Sequence, residues 1–410
     1  MALIPRIVFW ACVAAIAYNY LGYPIVLLAL STLYQAKSDL LFLLRRTPRR
    51  AARAEAKASW PSVAIVISAY NEEAIIEARV KNALGIDYPP DRFEILIGLD
   101  SPSDGTAAVL REITAPRLRI FHFQERRGKL AVISDLAQRT TADILVFTDA
   151  NTMFQPDCVA NLARHFSNPK IGAASGEEIR VGGAAIDAGA EGLYWRYESA
   201  LKFLESRTQL LHSANGGVYA IRRELFNPPP NLIVEDFQIP LDLRFQGHRI
   251  VYDPDAVAVE EIAPTFHSQF ERRVRLGAGN YQTLFGRLEY LNPFKGGAAF
   301  AYWSHRVLRW LAPFFMITAF VCNMLLLRNP WYAGLLGLQI LFYGLALLGY
   351  WAKKRGKAPG ICKGPLYFCS MNTAFVFGFL RYCSGRQAVA WKVTPRQVRS
   401  VALPTQQKQG

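Results

Sequence analysis

Residues Ile7 to Leu33 carry no charged side chain. The run is long enough to cross the roughly 30 Å hydrocarbon core of a bilayer. A backbone in lipid must satisfy its own hydrogen bonds, so the run is expected as a helix. Its apolar core exceeds the roughly 7–15 residues of a secretory signal, and only Arg6 precedes it. Arg45, Arg46, Arg49, Arg50, Arg53 and Lys57 follow, against the single Glu55. That excess sets this flank in the cytoplasm and the amino terminus outside.

Three more apolar segments close the chain: Val307 to Leu327, Trp331 to Trp351 and Pro365 to Tyr382. Lys353-Lys354-Arg355-Gly356-Lys357 follows the second and reads as cytoplasmic. If the third spans, the tail with Arg386, Lys392, Arg396 and Arg399 lies outside, against the charge rule. A re-entrant or interfacial segment removes the conflict, and both readings stay open. The chain holds 47 Lys plus Arg against 32 Asp plus Glu, a net charge of +15. No zinc-finger, RNP or basic-zipper pattern accompanies that charge, so the expected partner is a lipid bilayer and not nucleic acid. Cys12, Cys158, Cys322, Cys362, Cys369 and Cys383 have no metal-site spacing and read as small buried hydrophobes.

The polar chemistry lies between the apolar segments. Strand-like runs at Val63 to Ser68, Phe93 to Leu99, Leu118 to Phe123 and Ile144 to Phe147 alternate with helix-like stretches at Glu72 to Leu84, Ser103 to Ile113 and Lys129 to Arg139. Such alternation predicts an α/β domain with a mainly parallel, Rossmann-like sheet. Right-handed crossovers bring the strands' carboxyl ends to one edge, where open α/β sheets bind ligands. Three polar clusters fall there: Tyr70-Asn71-Glu72, Asp100 to Thr106, and Asp149-Ala150-Asn151. An Asp with an oxygen-bearing partner two residues on suits a hard divalent cation carrying a diphosphate. Asp100 can accept hydrogen bonds from a base or ribose, while Asp104 and Thr106 are good helix initiators. Gly128-Lys129 at a helix start can bind phosphate through the lysine and free N–H groups. His212 and His267 read as ordinary hydrogen-bonded histidines.

These motifs resemble the membrane-embedded family 2 glycosyltransferases, inverting enzymes of GT-A fold that include exopolysaccharide, hyaluronan and cellulose synthases. The resemblance runs from Val63-Ala-Ile-Val-Ile-Ser-Ala-Tyr-Asn-Glu-Glu73 through Asp100-Ser-Pro-Ser-Asp-Gly-Thr106, Gly128-Lys129 and Asp149-Ala-Asn151. It continues with Asn215-Gly-Gly-Val-Tyr-Ala-Ile-Arg222, similar to the acceptor-side strand, and Val234-Glu-Asp236, similar to the Glu-Asp catalytic motif. It implies that Asp236 is the general base and Glu235 its neighbour in the catalytic motif. Asp100, Lys129, Tyr70 and Glu72 would bind a nucleotide-sugar donor. Asp149 and Asn151 would hold a divalent cation, Mg2+ or Mn2+. Family members commonly have Asp where Asn151 stands, so a carboxylate at 151 is expected to be tolerated.

Processive members carry Gln-Arg-x-Arg-Trp, and the matching stretch is Arg272-Arg273-Val274-Arg275-Leu276. Arg273 and Arg275 would hold the diphosphate. Leu276 lacks the aromatic face that would stack on the acceptor sugar, and Trp195 and Tyr281 are the nearby substitutes. The expected layout is an N-terminal transmembrane helix (1–35), a basic linker (36–60), a cytoplasmic GT-A domain (61–290), membrane segments (291–385) and a basic tail (386–410). The implied activity is transfer of a hexose, from a UDP-linked donor, to a lipid-linked or growing glycan acceptor at a bacterial inner membrane, with room for a membrane partner subunit. The alternatives are a processive exopolysaccharide synthase and, in another class, a non-catalytic membrane scaffold or glycan-binding subunit.

Overall fold

The computed structural model describes residues 3–44, 60–181, 188–261, 265–356 and 358–385. The arginine-rich part of the expected linker and the basic tail lie outside the described residues. The chain divides into two compact units, one formed by Met1–Leu30, Ala185–Leu201 and Phe266–Gln387, the other by Ser31–Ala184 and Lys202–Thr265.

The first unit is built from long apolar helices. α1 (Leu3–Ala17) and α2 (Tyr23–Leu43) are joined by a π-helical turn, Tyr18–Gly22. Among the described residues, three helical stretches are long and apolar enough to cross a membrane: Leu3–Leu43, Gly297–Leu325 and Pro330–Lys354. They match the first three expected spans. A second π-helical turn, Tyr302–Val307, interrupts the second stretch. The two π turns meet, with the Asn19 side chain donating to the Ser304 carbonyl at 2.7 Å. Such turns recur at functional sites because they free backbone groups for other partners. Buried Glu198 accepts from Arg309 nearby and has His305 at 3.4 Å and Arg306 at 3.6 Å. The fourth apolar segment is one helix, Gly360–Cys383, with Pro365 inside it. It packs along the amphipathic helix Phe266–Gly286, where Gly277 and Gly378 allow backbone contact.

The second unit is an eight-stranded sheet in the order β3-β2-β1-β4-β7-β6-β8-β5. The strands are β1 (Val63–Ala69), β2 (Phe93–Asp100), β3 (Leu118–Phe123), β4 (Ile144–Asp149), β5 (Thr152–Phe154), β6 (Ile171–Val181), β7 (Tyr219–Arg222) and β8 (Arg249–Glu261). β1 lies parallel to β2 and β4, and β2 to β3, as the alternation predicts. β7 reverses direction against both β4 and β6. Alternate residues of β1 face opposite layers. Val63, Ile65 and Ile67 pack with the helices Ile76–Leu84 and Cys158–Ala163. Ala64 and Val66 pack with the helices Lys129–Gln138 and Glu235–Phe245. Period-two burial on both faces is what a strand covered by helices on each side requires.

Two boundaries differ from the sequence expectation. The first domain helix begins at Ile76, not Glu72, and the next covers only Thr106–Arg111. The polar residues before each are used to tie the two loops together.

Candidate active site

Tyr70, Glu72, Asp100, Lys129, Asp149 and Asn151 line one narrow pocket at the carboxyl ends of β1, β2 and β4. Asn71 and Ser101, just past β1 and β2, both adopt φ 55°. Such a conformation is uncommon outside glycine and marks turns that the surroundings must hold. The Ser103 N–H donates to Asn71 Oδ1 at 2.7 Å, the Gly105 N–H to Glu73 Oε2 at 3.0 Å, and the Glu72 N–H to Thr106 Oγ1 at 2.8 Å. Asp104 Oδ1 accepts from the Thr106 N–H at 3.0 Å, closing a turn just before the helix, whose N-cap position is Gly105.

Asp100 is only 3% exposed. Its two oxygens accept from the Arg127 N–H at 2.7 Å and the Gly128 N–H at 2.9 Å. It pins the turn from which the next helix starts, and thereby positions Lys129. Any contact with a nucleotide would use its remaining lone pairs. The Arg126 guanidinium lies 3.8 Å from the centre of the Tyr70 ring, which closes the pocket's rim.

The Lys129 ammonium bridges two carboxylates, 2.7 Å from Asp149 Oδ1 and 2.8 Å from Glu235 Oε1. Burial alone would lower its proton affinity, but the two acids outweigh burial and raise it well above the usual lysine range. Asp236 follows Glu235 at the start of the helix Glu235–Phe245. Its backbone carbonyl accepts from the Ala214 N–H at 3.0 Å. Gly216 leaves room for its carboxylate: a Cβ there would lie 2.8 Å from Asp236 Oδ2. Burial, then the adjacent Glu235 charge, pushes the Asp236 carboxyl up to about 6. The neighbouring acids are thus set apart, Glu235 held in an ion pair and Asp236 raised toward the range of a working base.

Asn151 is 6% exposed, and its amide donates to Glu260 Oε1 at 3.3 Å. Glu260, 4% exposed near the end of β8, also has Arg180 at 3.7 Å. The amide nitrogen of Asn151 is therefore committed to Glu260, leaving its carbonyl oxygen as the donor beside Asp149. One carboxylate and one carbonyl oxygen form a hard-donor pair. Such a pair fits Mg2+ or Mn2+, which are completed by water and substrate phosphates.

Eight of the ten residues singled out in the sequence thus fall here, six in the pocket, Glu235 through Lys129, and Asp236 as the chain neighbour of Glu235. Arg273 and Arg275 belong to the other unit, on the helix Phe266–Gly286. There Arg273 lies 4.8 Å from the Tyr367 ring centre and 3.4 Å from Ser370 Oγ. Tyr281 is not the acceptor platform that the sequence suggested: it is 1% exposed, and its hydroxyl donates to the Trp310 carbonyl at 2.6 Å. Buried His212 has its Nδ1 3.1 Å from the Leu210 carbonyl oxygen. Sequence reasoning missed Glu260, whose only signal was an acid closing the apolar run Ala256-Val257-Ala258-Val259. It also missed Gly216 as the seat of the Asp236 carboxylate.

Residues 64–226 match the family described as glycosyl transferase family 2. The chain therefore carries a family 2 glycosyl transferase domain on a GT-A fold. It is 26% identical over 243 residues to a β-monoglucosyldiacylglycerol synthase of Trichormus variabilis, covering 56% of this chain and 51% of that one. It is 20% identical to an N-acetylglucosaminyltransferase of Rhizobium meliloti, covering 66% of this chain and 68% of that one. The chain spans about half the length of the first of these relatives. Its fold is similar to that of the mannosyltransferase PcManGT from Pyrobaculum calidifontis, solved with GDP-Man and Mn2+. The TM-score is 0.65 at 20% identity, covering 92% of this chain and 99% of that one.

Proposed function

We propose that this protein is an inverting, membrane-anchored hexosyltransferase that moves a sugar from a nucleotide-sugar donor to a lipid-linked or growing glycan acceptor. The observation that carries the reading is geometric: Lys129 bridges Asp149 at 2.7 Å and Glu235 at 2.8 Å, with the Asp236 carboxylate next in the chain seated against Gly216. Inverting transfer is one in-line displacement at the anomeric carbon. The acceptor oxygen attacks, the bond to the diphosphate breaks, and the acceptor proton passes to the Asp236 carboxylate. Lys129 supplies positive charge on the side where the diphosphate departs, and Glu235 holds the lysine in place. A divalent cation on Asp149 and Asn151 would neutralise the leaving diphosphate.

Tyr70, Glu72 and Asp100 form the donor's side of the pocket. The assignment of Arg273 and Arg275 to the diphosphate rests on the sequence resemblance. A UDP-linked sugar is the donor in this reading. Relatives named β-monoglucosyldiacylglycerol synthase support a lipid-linked acceptor, and Leu276 supports short products over a long chain. The charge pattern supports a cytoplasmic catalytic domain at a bacterial inner membrane. The test is to incubate the purified protein in lipid with a panel of nucleotide sugars and each acceptor class. Nucleoside diphosphate release, product size and sensitivity to chelator are then followed. Release that depends on acceptor and is lost in chelator is expected. No turnover with any donor, or full activity in excess chelator, would overturn the reading or its metal role respectively.

A further inference from the structure

Lys202, on the helix Ala188–Arg207, belongs to the sheet unit and is only 6% exposed, yet neither the sequence motifs nor the proposed reaction uses it. An ammonium is kept that deep only among acceptors and opposite charge. Its Nζ donates to Asn215 Oδ1. The orientation of that amide is fixed from its other end, because Nδ2 donates to the Gly176 carbonyl at 2.6 Å. The oxygen must therefore face a donor, and a lysine ammonium can only donate.

Asn215 stands between two residues that touch Asp236. On one side the Ala214 N–H donates to the Asp236 carbonyl at 3.0 Å. On the other, Gly216 leaves the space that the Asp236 carboxylate occupies. The Asn215 N–H donates to Ser175 Oγ at 2.9 Å, and its carbonyl accepts from the Val218 N–H at 3.0 Å. The turn is thus moored to β6 by its backbone and by the Asn215 amide, which Lys202 closes from the helix side. The Lys202 charge is also felt at Asp236. Burial and then Glu235 raise that carboxyl, Asp149 adds to them, and Lys129 and Lys202 oppose them.

We propose that Lys202 is a positioning residue of the transfer step: by clasping Asn215 it holds the 214–217 turn so that the Asp236 carboxylate meets the acceptor hydroxyl. This rests on the reading of Asp236 as the base. A reacting group misplaced by about 1 Å costs on the order of 100-fold in rate. The diphosphate side, at Lys129 and Asp149, lies on other loops and keeps its own contacts.

The test uses the full chain, purified in lipid, with UDP-glucose, UDP-galactose and UDP-N-acetylglucosamine as donors and the acceptor classes named above. Lys202→Met keeps the length of the stem and removes the ammonium. It should lower kcat about 100-fold with donor KM within about twofold, because the contact serves the transition state and not donor binding. Asn215→Ala, which leaves the lysine in place, should do the same and carries the test where Lys202→Met fails to fold. The double variant should be no slower than the slower single variant, since both act through one turn. Hydrogen exchange read by mass spectrometry should quicken at Ala214 and Val218 in either single variant and stay as in the parent at 128–132. An unchanged kcat in both single variants, losses that multiply in the double variant, or unchanged exchange at Ala214 and Val218 overturns the proposal. Full turnover in Asp236→Asn is the separate failure of the base assignment, and the exchange measurement, which needs no turnover, still decides whether Lys202 holds the turn.

Discussion

Replacing Asn151 by Asp looks conservative from the motif, since the family resemblance leads one to expect an acid there. The structure makes it costly. The Asn151 amide donates to Glu260 Oε1 at 3.3 Å, with both side chains buried. Asn151→Asp puts two carboxylate oxygens at that separation. At an effective dielectric constant of about 20, two unit charges 3.3 Å apart repel by about 5 kcal/mol. Arg180, 3.7 Å from Glu260, offsets only part of this. Repulsion of that size keeps one of the pair protonated, so the penalty at neutral pH is the cost of holding that proton, about 2–4 kcal/mol. The variant should therefore melt lower than the parent at pH 7.5 in chelator and recover toward pH 5. Added Mn2+ should raise its melting temperature more than the parent's. Glu260→Gln on the Asn151→Asp background restores the hydrogen bond with donor and acceptor exchanged, and should restore stability. Melting curves at both pH values, with and without Mn2+, read all of this. Unchanged melting of Asn151→Asp at pH 7.5, or no rescue by Glu260→Gln, would refute the reasoning.

Asp236→Asn should abolish turnover while leaving donor binding largely intact, and the parent's rate should fall below about pH 6 as Asp236 takes up its proton. The same carboxyl binds its proton more tightly folded, at about 6, than at its ordinary 3.8. Its contribution to stability is therefore present at low pH and lost as pH rises through about 6, so Asp236→Asn should gain up to about 3 kcal/mol above pH 6 and nothing near pH 3. A pH-independent difference in melting would contradict this. Lys129→Ala strands the Asp149 and Glu235 charges, and denaturant midpoints should show a loss of about 3–5 kcal/mol along with turnover. Gly216→Ala should lower kcat with little change in melting, because the new Cβ displaces the Asp236 carboxylate; an unchanged kcat would remove Asp236 from the proposed geometry.

The parallel half of the sheet was legible because β1, β2 and β4 are short, largely apolar runs with Val or Ile, and β3 alternates apolar and polar residues. β6 was not. Ile171-Gly-Ala-Ala-Ser-Gly-Glu-Glu-Ile-Arg-Val181 is poor in strand-forming residues, and its extended form is imposed by pairing with β7 and β8. The site followed the same division. Asp149 and Asp236 sit in local motifs that name themselves. Glu260 acquires its meaning only when the last strand of the domain, more than a hundred residues from Asn151, brings it to 3.3 Å. The missing acid of the motif is in this sense displaced, not lost: position 151 presents an oxygen, and position 260 holds the charge behind it. In the proposed site, a buried charge one residue removed from the cation's donors would still stabilise a cation, while leaving fewer negative groups to repel an entering diphosphate. The amide at 151 and the acid at 260 are thus one electrostatic unit, legible only once the strands are paired.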